Sequence, residues 1–471
     1  MAPDVVVIGG GPAGSISSAL LARAGARVRL LERDTFPRYH VGESIASSCR
    51  AIIDLVGVRE KIEARGYTVK EGLLLRWGAE KDWTINWPDL FGDQVRSWQV
   101  DRADFDDVLL KHAAEQGVEV IHQAQAKKVR FDEGRAVGVD WVLDGQERYS
   151  AADYVIDASG RAGVLSARHF RDRTQLDVFR NVAIWGYYQG GDLLPRTPRG
   201  GINVISSPHG WYWVIPLKGD VYSVGFVTHQ DNFLARKPEF SSTTEMFLAL
   251  VAESETVAEL ISGGTFQGKV RVEQDFSYSA ASFCGPGYFL AGDSACFLDP
   301  LLSTGVHLAM YSGTLAAASI LSAHAGEVTE SEALGFYESL YRNAYGRMFS
   351  MVAGFYEQYR GKAEYFWLAQ RLARGQYPQL MQSRGAAVAP DSAFASITSG
   401  LTDLDDATRS GGAAPLDAMV LATELTAQKT VAAGTPAKDL GARFDPAAPE
   451  LYLVTEPRLG IGRVTEPATP R

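Results

Sequence analysis

The chain has 471 residues, a formal net charge of −10, and ordinary contents of 46% hydrophobic and 22% charged residues. This length exceeds what one hydrophobic core commonly supports, so we expect two lobes or one domain with large insertions. The acidic composition argues against a nucleic-acid partner, and no uninterrupted apolar run reaches the roughly 18 residues of a membrane span. The chain has three cysteines, Cys49, Cys284 and Cys296, and they lack the spacing of metal ligands. This small, odd number indicates a protein of the reducing cytoplasm.

A glycine turn near the start of the chain predicts a phosphate-binding site. An apolar strand over residues 4–8 leads into Gly9-Gly10-Gly11-Pro12-Ala13-Gly14, and a helical pattern follows. In such a unit the glycines allow a tight turn, a close approach of the backbone to a pyrophosphate, and close packing of helix on strand. The helix N-terminus offers free N–H groups to the phosphates. A second apolar run ends in Glu32, about 20 residues on, where a carboxylate commonly binds a ribose, so the pattern predicts dinucleotide binding.

The next predicted elements are less regular. Residues 68–77 are predicted to form a strand, which contains Lys70. Residues 83–98 mix tryptophan and phenylalanine with acids and prolines, which indicates an irregular segment near the surface. Asp101-Arg102 then opens a predicted helix with acids in its first turn, where the helix dipole favours them.

The remaining predicted elements complete two lobes. The runs at residues 154–160 and 288–293 have the pattern of buried strands, and we place them on the first sheet with polar ends facing the dinucleotide. Alternating runs over 178–270 predict a mainly antiparallel second lobe. Helices are predicted over 305–323 and 337–367, the second with an aromatic stripe that we interpret as core.

Three motifs of the predicted first lobe occur together: the glycine turn, Asp157-Ala158-Ser159-Gly160 and Gly292-Asp293. With them the chain resembles the FAD-dependent monooxygenase superfamily of the hydroxybenzoate-hydroxylase type. The resemblance implies an α/β fold with a Rossmann-like FAD-binding domain, and it assigns Asp293 to the ribityl chain of FAD. The expected division is 1–175 and 271–325 for the FAD-binding domain, 176–270 for an antiparallel lobe, 326–382 for a helical segment and 383–471 for a partly mobile C-terminal extension.

A narrower resemblance begins at Trp211-Tyr212-Trp213-Val214-Ile215-Pro216. This stretch is similar to the W-x-W-x-I-P signature of flavin-dependent halogenases, although a tryptophan-rich strand that packs a core would also show it. Lys70, within Tyr67-Thr68-Val69-Lys70-Glu71-Gly72, resembles the family's catalytic lysine; the alternative for it is a solvated side chain. Asp299-Pro300-Leu301-Leu302-Ser303-Thr304-Gly305-Val306-His307 is similar to the segment whose backbone N–H groups hold a halide beside the flavin. Together these motifs favour a halogenase.

The resemblance also implies the residues of the site. The segments Val41-Gly42-Glu43-Ser44 and Asp101-Arg102 match in the same order. The expected catalytic residues are Lys70, Trp211, Trp213, Ile215 and Pro216, and the expected halide-binding residues are Ser303, Thr304 and Gly305. The residues implied for FAD binding are Gly9, Gly11, Pro12, Ala13, Gly14, Glu32, Arg33, Glu43, Ser44, Arg102, Asp157, Gly160, Gly292, Asp293, Pro300 and Gly305.

The implied reaction is a halogenation that depends on FADH2 and O2, and we expect chloride to be the halide. The family makes hypohalous acid at the flavin, where Trp211 and Trp213 would keep the organic substrate away. Lys70 would then either donate hydrogen bonds to hypohalous acid or form a chloramine, depending on its pKa. The sequence shows no second glycine fingerprint for NAD(P)H, which agrees with FADH2 supplied by a separate flavin reductase.

Two departures from the tryptophan halogenases bear on the substrate. Leu302 stands where those enzymes have a glutamate, and Ser44-Ile45-Ala46-Ser47-Ser48 departs from their Gly-Glu-x-x-x-Pro element. The resemblance therefore points to the branch that acts on an aromatic acyl group, phenolic rather than pyrrolic, tethered to an acyl carrier protein in natural-product (antibiotic) biosynthesis. The candidate residues for docking the carrier are Arg342, Arg347, Arg360 and Lys362.

Other interpretations of an FAD fold stay open at this stage. One is a single-component aromatic hydroxylase or a related FAD oxidoreductase such as a prenyl reductase. Another is a non-enzymatic FAD-binding or escort module, and a third is a halogenase that has lost competence. Direct consumption of NADPH would favour the hydroxylase, whereas dependence on a separate reductase would favour halogenation.

Overall fold

The computed structural model describes residues 3–78, 82–356, 390–408 and 451–464. The strands are β1 Val5–Ile8, β2 Val28–Leu31, β3 Thr68–Lys70, β4 Gly72–Arg76, β5 Trp83–Asn86, β6 Ser97–Gln99, β7 Glu119–Ile121, β8 Gln125–Asp132, β9 Arg135–Leu143, β10 Gln146–Ala151, β11 Tyr154–Asp157, β12 Thr174–Gln189, β13 Ile202–Ser207, β14 Gly210–Leu217, β15 Val221–His229, β16 Thr265–Phe266, β17 Arg271–Ser279, β18 Cys284–Gly285, β19 Tyr288–Leu290, β20 Cys296–Phe297, β21 Leu451–Val454 and β22 Gly460–Arg463. The α-helices are α1 Pro12–Arg23, α2 Ser48–Val56, α3 Arg59–Glu63, α4 Trp87–Phe91, α5 Arg102–Glu115, α6 Gln230–Arg236, α7 Thr243–Glu253, α8 Glu255–Leu260, α9 Gly305–His324, α10 Glu330–Tyr356, α11 Pro390–Thr398 and α12 Leu401–Thr408.

A six-stranded sheet carries the glycine turn. Its order is β18-β19-β11-β1-β2-β7, and the pairs from β19 to β7 are parallel. The apolar run of β1 is buried throughout, as in parallel sheets whose two faces are covered by helices. Because β1, β11 and β19 are neighbours, the residues that follow Ile8, Asp157 and Leu290 meet at one edge of the sheet. This confirms the predicted return of the later segments to the first sheet.

Nine strands form a second, mostly antiparallel sheet. Its order is β20-β17-β12-β15-β14-β13-β4-β5, and β16 pairs with β12. The strands β4 and β5 join through a parallel pair between β13 and β4. The sheet is therefore assembled from separate stretches of chain, which the sequence did not predict. The expected domain boundaries stay a prediction.

Two long helices, α9 and α10, pack against the first lobe. Gly313 allows α9 to approach α1, because a Cβ there would lie 2.6 Å from the carbonyl oxygen of Ala13. Within the described ranges, α9 alone is long and apolar enough to cross a bilayer, but 83% of its apolar window is buried inside the protein. Tyr337 and Tyr341 of α10 are fully buried, which confirms their interpretation as core. Residues 357–367 of the predicted helix lie outside the described residues.

The segment 83–98 corrects its prediction. Instead of irregular structure near the surface, it forms β5, α4 and β6, and Trp83, Trp87 and Trp98 are all buried. Pro88 lies in the first turn of α4, where a proline N–H is not needed. The prolines and acids of this segment therefore interrupt short buried elements and do not mark an exposed loop.

Candidate active site

The glycine turn has the geometry of a phosphate cradle. Gly9 has a φ of +103°, a conformation that favours glycine, and a Cβ on Gly14 would lie 1.9 Å from the Gly9 carbonyl oxygen. Pro12 and Ala13 are buried in the first turn of α1, and the N-cap Gly11 contributes no capping side chain. The helix N-terminus is thus open to an anionic ligand.

The two charged residues after β2 have different surroundings. Glu32 is buried, and its carboxylate accepts hydrogen bonds from the backbone N–H groups of Gly10 at 2.6 Å and Asp34 at 2.8 Å. It therefore braces the glycine turn, and its predicted ribose contact stays a prediction. Arg33 is exposed, with its guanidinium 3.4 Å from the Asp34 carboxylate.

The carboxylate of Asp157 is occupied by its own turn. It is fully buried and accepts hydrogen bonds from the N–H groups of Ser159 at 3.0 Å and Leu165 at 2.7 Å. Gly160 follows with a φ of +63°, in the left-handed region. Asp157 therefore shapes the turn at the sheet edge from within.

Asp293 has the opposite character. It follows Gly292, is partly exposed, and has no side-chain hydrogen-bond partner among the described residues. Burial raises the pKa of Asp293, while the charges of Arg161, Arg102 and Arg173 oppose that rise. A free carboxylate at the sheet edge suits a ligand with hydroxyl donors, such as a ribityl chain.

Arg102 holds the loop that contains residues 41–44. It is 5% exposed, forms an ion pair with Asp106 at 2.9 Å, and donates to the carbonyl oxygen of Val41 at 2.6 Å. Burial lowers the pKa of Arg102, but Asp106 and Asp293 raise it by more. The arginine thus stays charged between the loop and the sheet edge.

Lys70, at the end of β3, is buried, so its interpretation as a solvated side chain is wrong. It is 2% exposed; Nζ donates to Ser44 Oγ at 2.8 Å and to the Ile45 carbonyl oxygen at 3.3 Å, and lies 5.0 Å from the centroid of the Trp87 ring. Within the part of the chain that the structure describes, Lys70 forms no ion pair. Burial lowers the pKa of Lys70 to about 7, so ammonium and amine coexist near neutral pH.

The elements around Lys70 also carry buried polar atoms without partners. Among the described residues these include Trp87 Nε1, Asn86 Oδ1, Gln99 Oε1 and Ser47 Oγ. Asn86 and Trp87 lie where β5 meets α4, and Gln99 lies on β6, which pairs with the strand of Lys70. Such atoms are costly to bury unsatisfied, so a ligand with hydroxyl or carbonyl groups would stabilise this region.

The W-x-W-x-I-P stretch lies on β14, with alternate residues on opposite faces. Trp211, Trp213 and Ile215 belong to the core cluster that contains the first sheet, and the two intervening residues belong to the second cluster. Trp213 packs where Gly225 lacks a side chain, since a Cβ there would lie 2.1 Å from the indole. Pro216 is buried beside them. The two indoles form a wall on the flavin-domain side of the sheet, and they also pack the core.

The predicted halide segment leads from a short 3₁₀ turn, Pro300–Leu302, into α9. Ser303 has a φ of +58°, and Thr304, the N-cap of α9, is buried without a side-chain capping hydrogen bond. Gly305 is exposed and has open space where a Cβ would be. A helix N-terminus with uncapped N–H groups favours an anion. Halide binding at these residues stays a prediction.

Together these features fit FAD. The glycine turn provides an open helix N-terminus for a pyrophosphate, Asp293 provides a free carboxylate for hydroxyl groups, and Gly305 leaves space for a flat ring. Three of the motifs assigned to the cofactor from sequence, the glycine turn, the turn after Asp157 and Gly292-Asp293, follow neighbouring strands at one edge of the sheet.

The chain is similar to known halogenases. The family model described as "Tryptophan halogenase" matches residues 4–97 and 94–400. The chain belongs to the tryptophan halogenase family. These enzymes are flavin-dependent, so this halogenase uses FAD, which confirms the predicted halogenase family, the fold and the flavin cofactor. The carrier-tethered branch, chloride and the separate reductase stay predictions.

Individual relatives of this halogenase agree. The "Tryptophan 2-halogenase" of Chondromyces crocatus is 38% identical over 494 aligned residues, covering 98% of this chain and 94% of that protein. The flavin-dependent halogenase armH3 of Armillaria mellea is 37% identical over 386 residues, covering 77% of this chain and 76% of its own. The solved structure of the myxobacterial chondrochloren halogenase CndH, described as a new variant of FAD-dependent halogenases, has a TM-score of 0.71 at 30% identity, covering 84% of this chain and 97% of that one. These matches favour halogenation over the hydroxylase alternative.

In this halogenase a buried network ties the tryptophan wall to the halide segment. Trp211 Nε1 donates to the Tyr356 hydroxyl at 2.6 Å, which donates to Asp299 Oδ2 at 2.9 Å. Asn181 Nδ2 donates to the same oxygen at 2.7 Å. Burial raises the pKa of Asp299 to about 6. The sequence placed Tyr356 in the aromatic stripe but gave no sign of these distant partners.

A second network, also missed, fixes the first turn of α9. His307 is fully buried; its Nδ1 lies 2.7 Å from Ser48 Oγ and its Nε2 lies 2.7 Å from Asp403 Oδ2. The order of serine, histidine and aspartate resembles a hydrolytic triad. However, Ser48 Oγ is enclosed, because a Cβ on Gly400 would lie 2.4 Å from it. This halogenase therefore uses the three groups to join α2, α9 and α12.

Arg347 completes this network and corrects one docking prediction. It is fully buried and forms ion pairs with Asp403 and Asp406, so it is not accessible to a carrier protein. Of the other predicted docking residues, Arg342 stays a candidate, and Arg360 and Lys362 lie outside the described residues.

Proposed function

We propose that this halogenase chlorinates a phenolic ring presented as a thioester on an acyl carrier protein, with FADH2 supplied by a separate flavin reductase. The observation that carries the proposal is a buried amine, that of Lys70, on elements that also carry neutral polar atoms without partners among the described residues. A phenol hydroxyl and a thioester carbonyl are neutral donors and acceptors of the kind these atoms need. Free tryptophan would bring an ammonium and a carboxylate, which need ionic partners when buried.

The chain's own residues divide the work between two places. When bound, reduced FAD supplies the two electrons for O2 chemistry that converts halide to hypohalous acid. The N–H groups at Thr304 and Gly305 hold the halide, and the wall of Trp211 and Trp213 keeps the aromatic substrate on the other side. At Lys70 the ammonium donates hydrogen bonds to hypohalous acid, and the amine form is the nucleophile that can bond to the halogen.

One short segment sets the separation of the two places. Ser44 accepts a hydrogen bond from Lys70, and Ser48 contacts His307 in the first turn of α9. Four residue steps span at most about 14 Å, so the lysine and the start of α9 are held by opposite ends of one short strap. The departures at Ala46 and Ser47 thus lie between the halide segment and the lysine.

The test is mass spectrometry on the enzyme supplied with FAD, a flavin reductase, NADH and an equimolar mixture of chloride and bromide. The substrates are a 4-hydroxybenzoyl group and a pyrrolyl group on a carrier protein, the corresponding free acids, and free tryptophan. The proposal predicts a chlorine isotope pattern on the carrier-bound phenol alone. Halogenation of the free acid at an equal rate would contradict the carrier requirement, and a dominant bromine pattern would contradict the choice of halide.

Free tryptophan is the second candidate substrate. It is favoured by the relative named tryptophan 2-halogenase, which matches 98% of this chain. The same experiment separates the candidates, since chlorotryptophan without product on any carrier-bound substrate would replace the first proposal with the second. The three cysteines are free and buried, and we propose a cytoplasmic location.

A further inference from the structure

Halogenation consumes one proton from solvent in each turnover. One FADH2, one O2, one halide and one aromatic C–H yield oxidised FAD, one carbon–halogen bond and two waters. Two of the four hydrogens in those waters come from FADH2 and one from the C–H bond, so the fourth is a proton from outside. The reduced flavin gives up two electrons and the halide gives up two. Together these electrons reduce O2 to the two waters, so no further oxidant is needed. A site closed by buried tryptophans requires a route for this proton.

A chain of three side chains runs from the surface to a buried carboxylate. Tyr39 is 39% exposed, and its hydroxyl lies 2.9 Å from that of Tyr187. The Tyr187 hydroxyl donates to Glu43 Oε1 at 2.6 Å, and Glu43 is 5% exposed. Each step is within hydrogen-bond distance, so the chain is continuous from solvent to Glu43.

The direction of the hydrogen bonds is determined by their donors. Each phenol has one proton, and that of Tyr187 is used toward Glu43, so the Tyr187 oxygen accepts from Tyr39. The Trp185 N–H donates to the Tyr39 oxygen at 2.9 Å, which leaves the Tyr39 proton for Tyr187. All donors therefore point inward. In this arrangement Tyr39 can accept a proton from solvent and pass its own proton to Tyr187. Tyr187 can then pass its proton to Glu43.

Glu43 belongs to the loop of residues 41–44 that Arg102 holds. Its charge and that of Asp293 both act on Arg102, which holds the adjoining loop. Ser223 lowers the pKa of Glu43, and its hydroxyl accepts from Trp213 Nε1 at 3.2 Å. The inner end of the chain thus interacts electrostatically with Arg102, on which the free carboxylate of the sheet edge also acts, and with Ser223, which Trp213 contacts.

We propose that Tyr39, Tyr187 and Glu43 form a proton relay that carries the consumed solvent proton to the flavin side of this halogenase. Glu43, assigned from sequence to the cofactor, is then the inner proton donor, and the two tyrosines act through it. The inference rests on halide oxidation in the proposed function and is independent of the organic substrate.

The charged groups around the relay suit a carboxyl that takes up and releases protons. Burial raises the pKa of Glu43, and Asp101 adds to that rise, whereas Tyr187, Ser223 and Arg102 lower it. At the outer end Arg271 lies over the Tyr39 ring, 3.3 Å from its centroid. This cation lowers the pKa of the Tyr39 hydroxyl, although burial and Glu43 raise it overall.

The test is the conservative variant Tyr187→Phe, which keeps the ring and removes the relay hydroxyl. Hypohalous acid formation is measured in single turnovers with photoreduced FAD, chloride and a small 1,3-diketone that hypohalous acid halogenates, from pH 6 to pH 8 and in D2O. The wild-type rate should stay nearly constant over this range. The variant should depend on hydronium, so that its rate falls about tenfold per pH unit. A small carboxylic acid added to the buffer should restore part of the rate that the variant has lost.

The control is Tyr188→Phe, on the same strand but in the second core cluster, which should keep the wild-type pH profile. FAD affinity, measured by flavin fluorescence, should be unchanged in both variants. Tyr39→Phe provides a second test at the exposed end, and adding it to Tyr187→Phe should cause no further loss, because both interrupt one chain. Equal, flat pH profiles for wild type and Tyr187→Phe would overturn the relay alone. A wild-type enzyme that forms no hypohalous acid would instead overturn the proposed function.

Discussion

Two buried polar clusters in this halogenase lie at opposite ends of the segment 44–48. They differ in whether the buried cation is paired with carboxylates. At one end the acceptors that Lys70 has among the described residues are neutral, the Ser44 hydroxyl and the Ile45 carbonyl oxygen. At the other end Arg347 is matched by two carboxylates, Asp403 and Asp406. An unmatched buried cation can give up its proton, and the pKa of Lys70 falls to about 7.

The matched cluster behaves as fixed structure. Burial alone would raise the pKa of Asp403, but the charge of Arg347 and the hydrogen bond with His307 lower it by more. Asp403 and Arg347 therefore stay ionised through the neutral range, and the cluster holds α12 on α9 and α10. The comparison teaches that, of two equally buried clusters, the one without a counter-charge is the one suited to chemistry.

The largest expected effect on the free energy of unfolding comes from removing the cation of the matched cluster. Arg347→Met should lower the free energy of unfolding by about 3–5 kcal/mol, because it removes a buried cation that pairs with two buried carboxylates. Urea denaturation at neutral pH measures the change. A loss below about 1 kcal/mol, the value for exposed pairs, would show that water reaches this cluster and that the contrast with Lys70 is wrong.

A smaller effect concerns the unmatched lysine. Between its native pKa of about 7 and its ordinary value of 10.5, Lys70 has lost a proton that the unfolded chain still holds. The free energy of unfolding should therefore rise with pH in this window, by up to about 1.4 kcal/mol per pH unit. Lys70→Met should remove this component of the pH dependence, and Lys128→Met, at an exposed lysine on β8, should retain it. Identical slopes in wild type and Lys70→Met would contradict the depressed pKa.

The Trp87 ring next to Lys70 also affects the pKa of the lysine. A buried cation over an indole face gains up to about 2 kcal/mol, so Trp87→Leu should lower the pKa of Lys70 further, by roughly one unit. The lower edge of the pH window described above should move to more acidic pH. Trp87→Phe keeps a ring face and should shift it less. A shift toward higher pH would mean that the indole excludes water more than it stabilises the ammonium.

The smallest expected effect on the free energy of unfolding is the loss of an exposed ion pair, which serves as the reference for the buried pair. Arg130 and Asp140 form an exposed ion pair at 2.7 Å on the three-stranded sheet. Arg130→Ala should leave the free energy of unfolding nearly unchanged, because solvent screens the pair. Urea denaturation beside Arg347→Met measures both changes on one scale. A loss as large as that of the buried pair would undo the distinction between the two environments.

The sequence predicted well the elements whose signals are local. The glycine turn, the parallel strands at residues 154–157 and 288–290, and α9 were all marked by short apolar runs with turn residues beside them. The segment 83–98 was misjudged because its acids and prolines outweighed the alternating burial of β5, a period-two signal that was present.

The side-chain networks had no local signal. Ser48 and His307 lie 259 positions apart, and Arg347 and Asp403 lie 56 apart, so one sequence does not show that they meet. For the same reason a lysine on a three-residue strand was as consistent with solvent as with a core. Lys70 is covered in part by Trp87, which reaches it from the misjudged segment.

The most direct test of the account separates halide oxidation from delivery. Lys70→Met and wild type are given photoreduced FAD, chloride, O2, the aromatic substrate found in the panel above and the diffusible 1,3-diketone, and both products are quantified by mass spectrometry. The account predicts that the variant still chlorinates the diketone but chlorinates the aromatic substrate at least about 100-fold more slowly, the scale of a lost catalytic group. Unchanged chlorination of the aromatic substrate by Lys70→Met would contradict the central claim that the unmatched buried amine delivers the halogen.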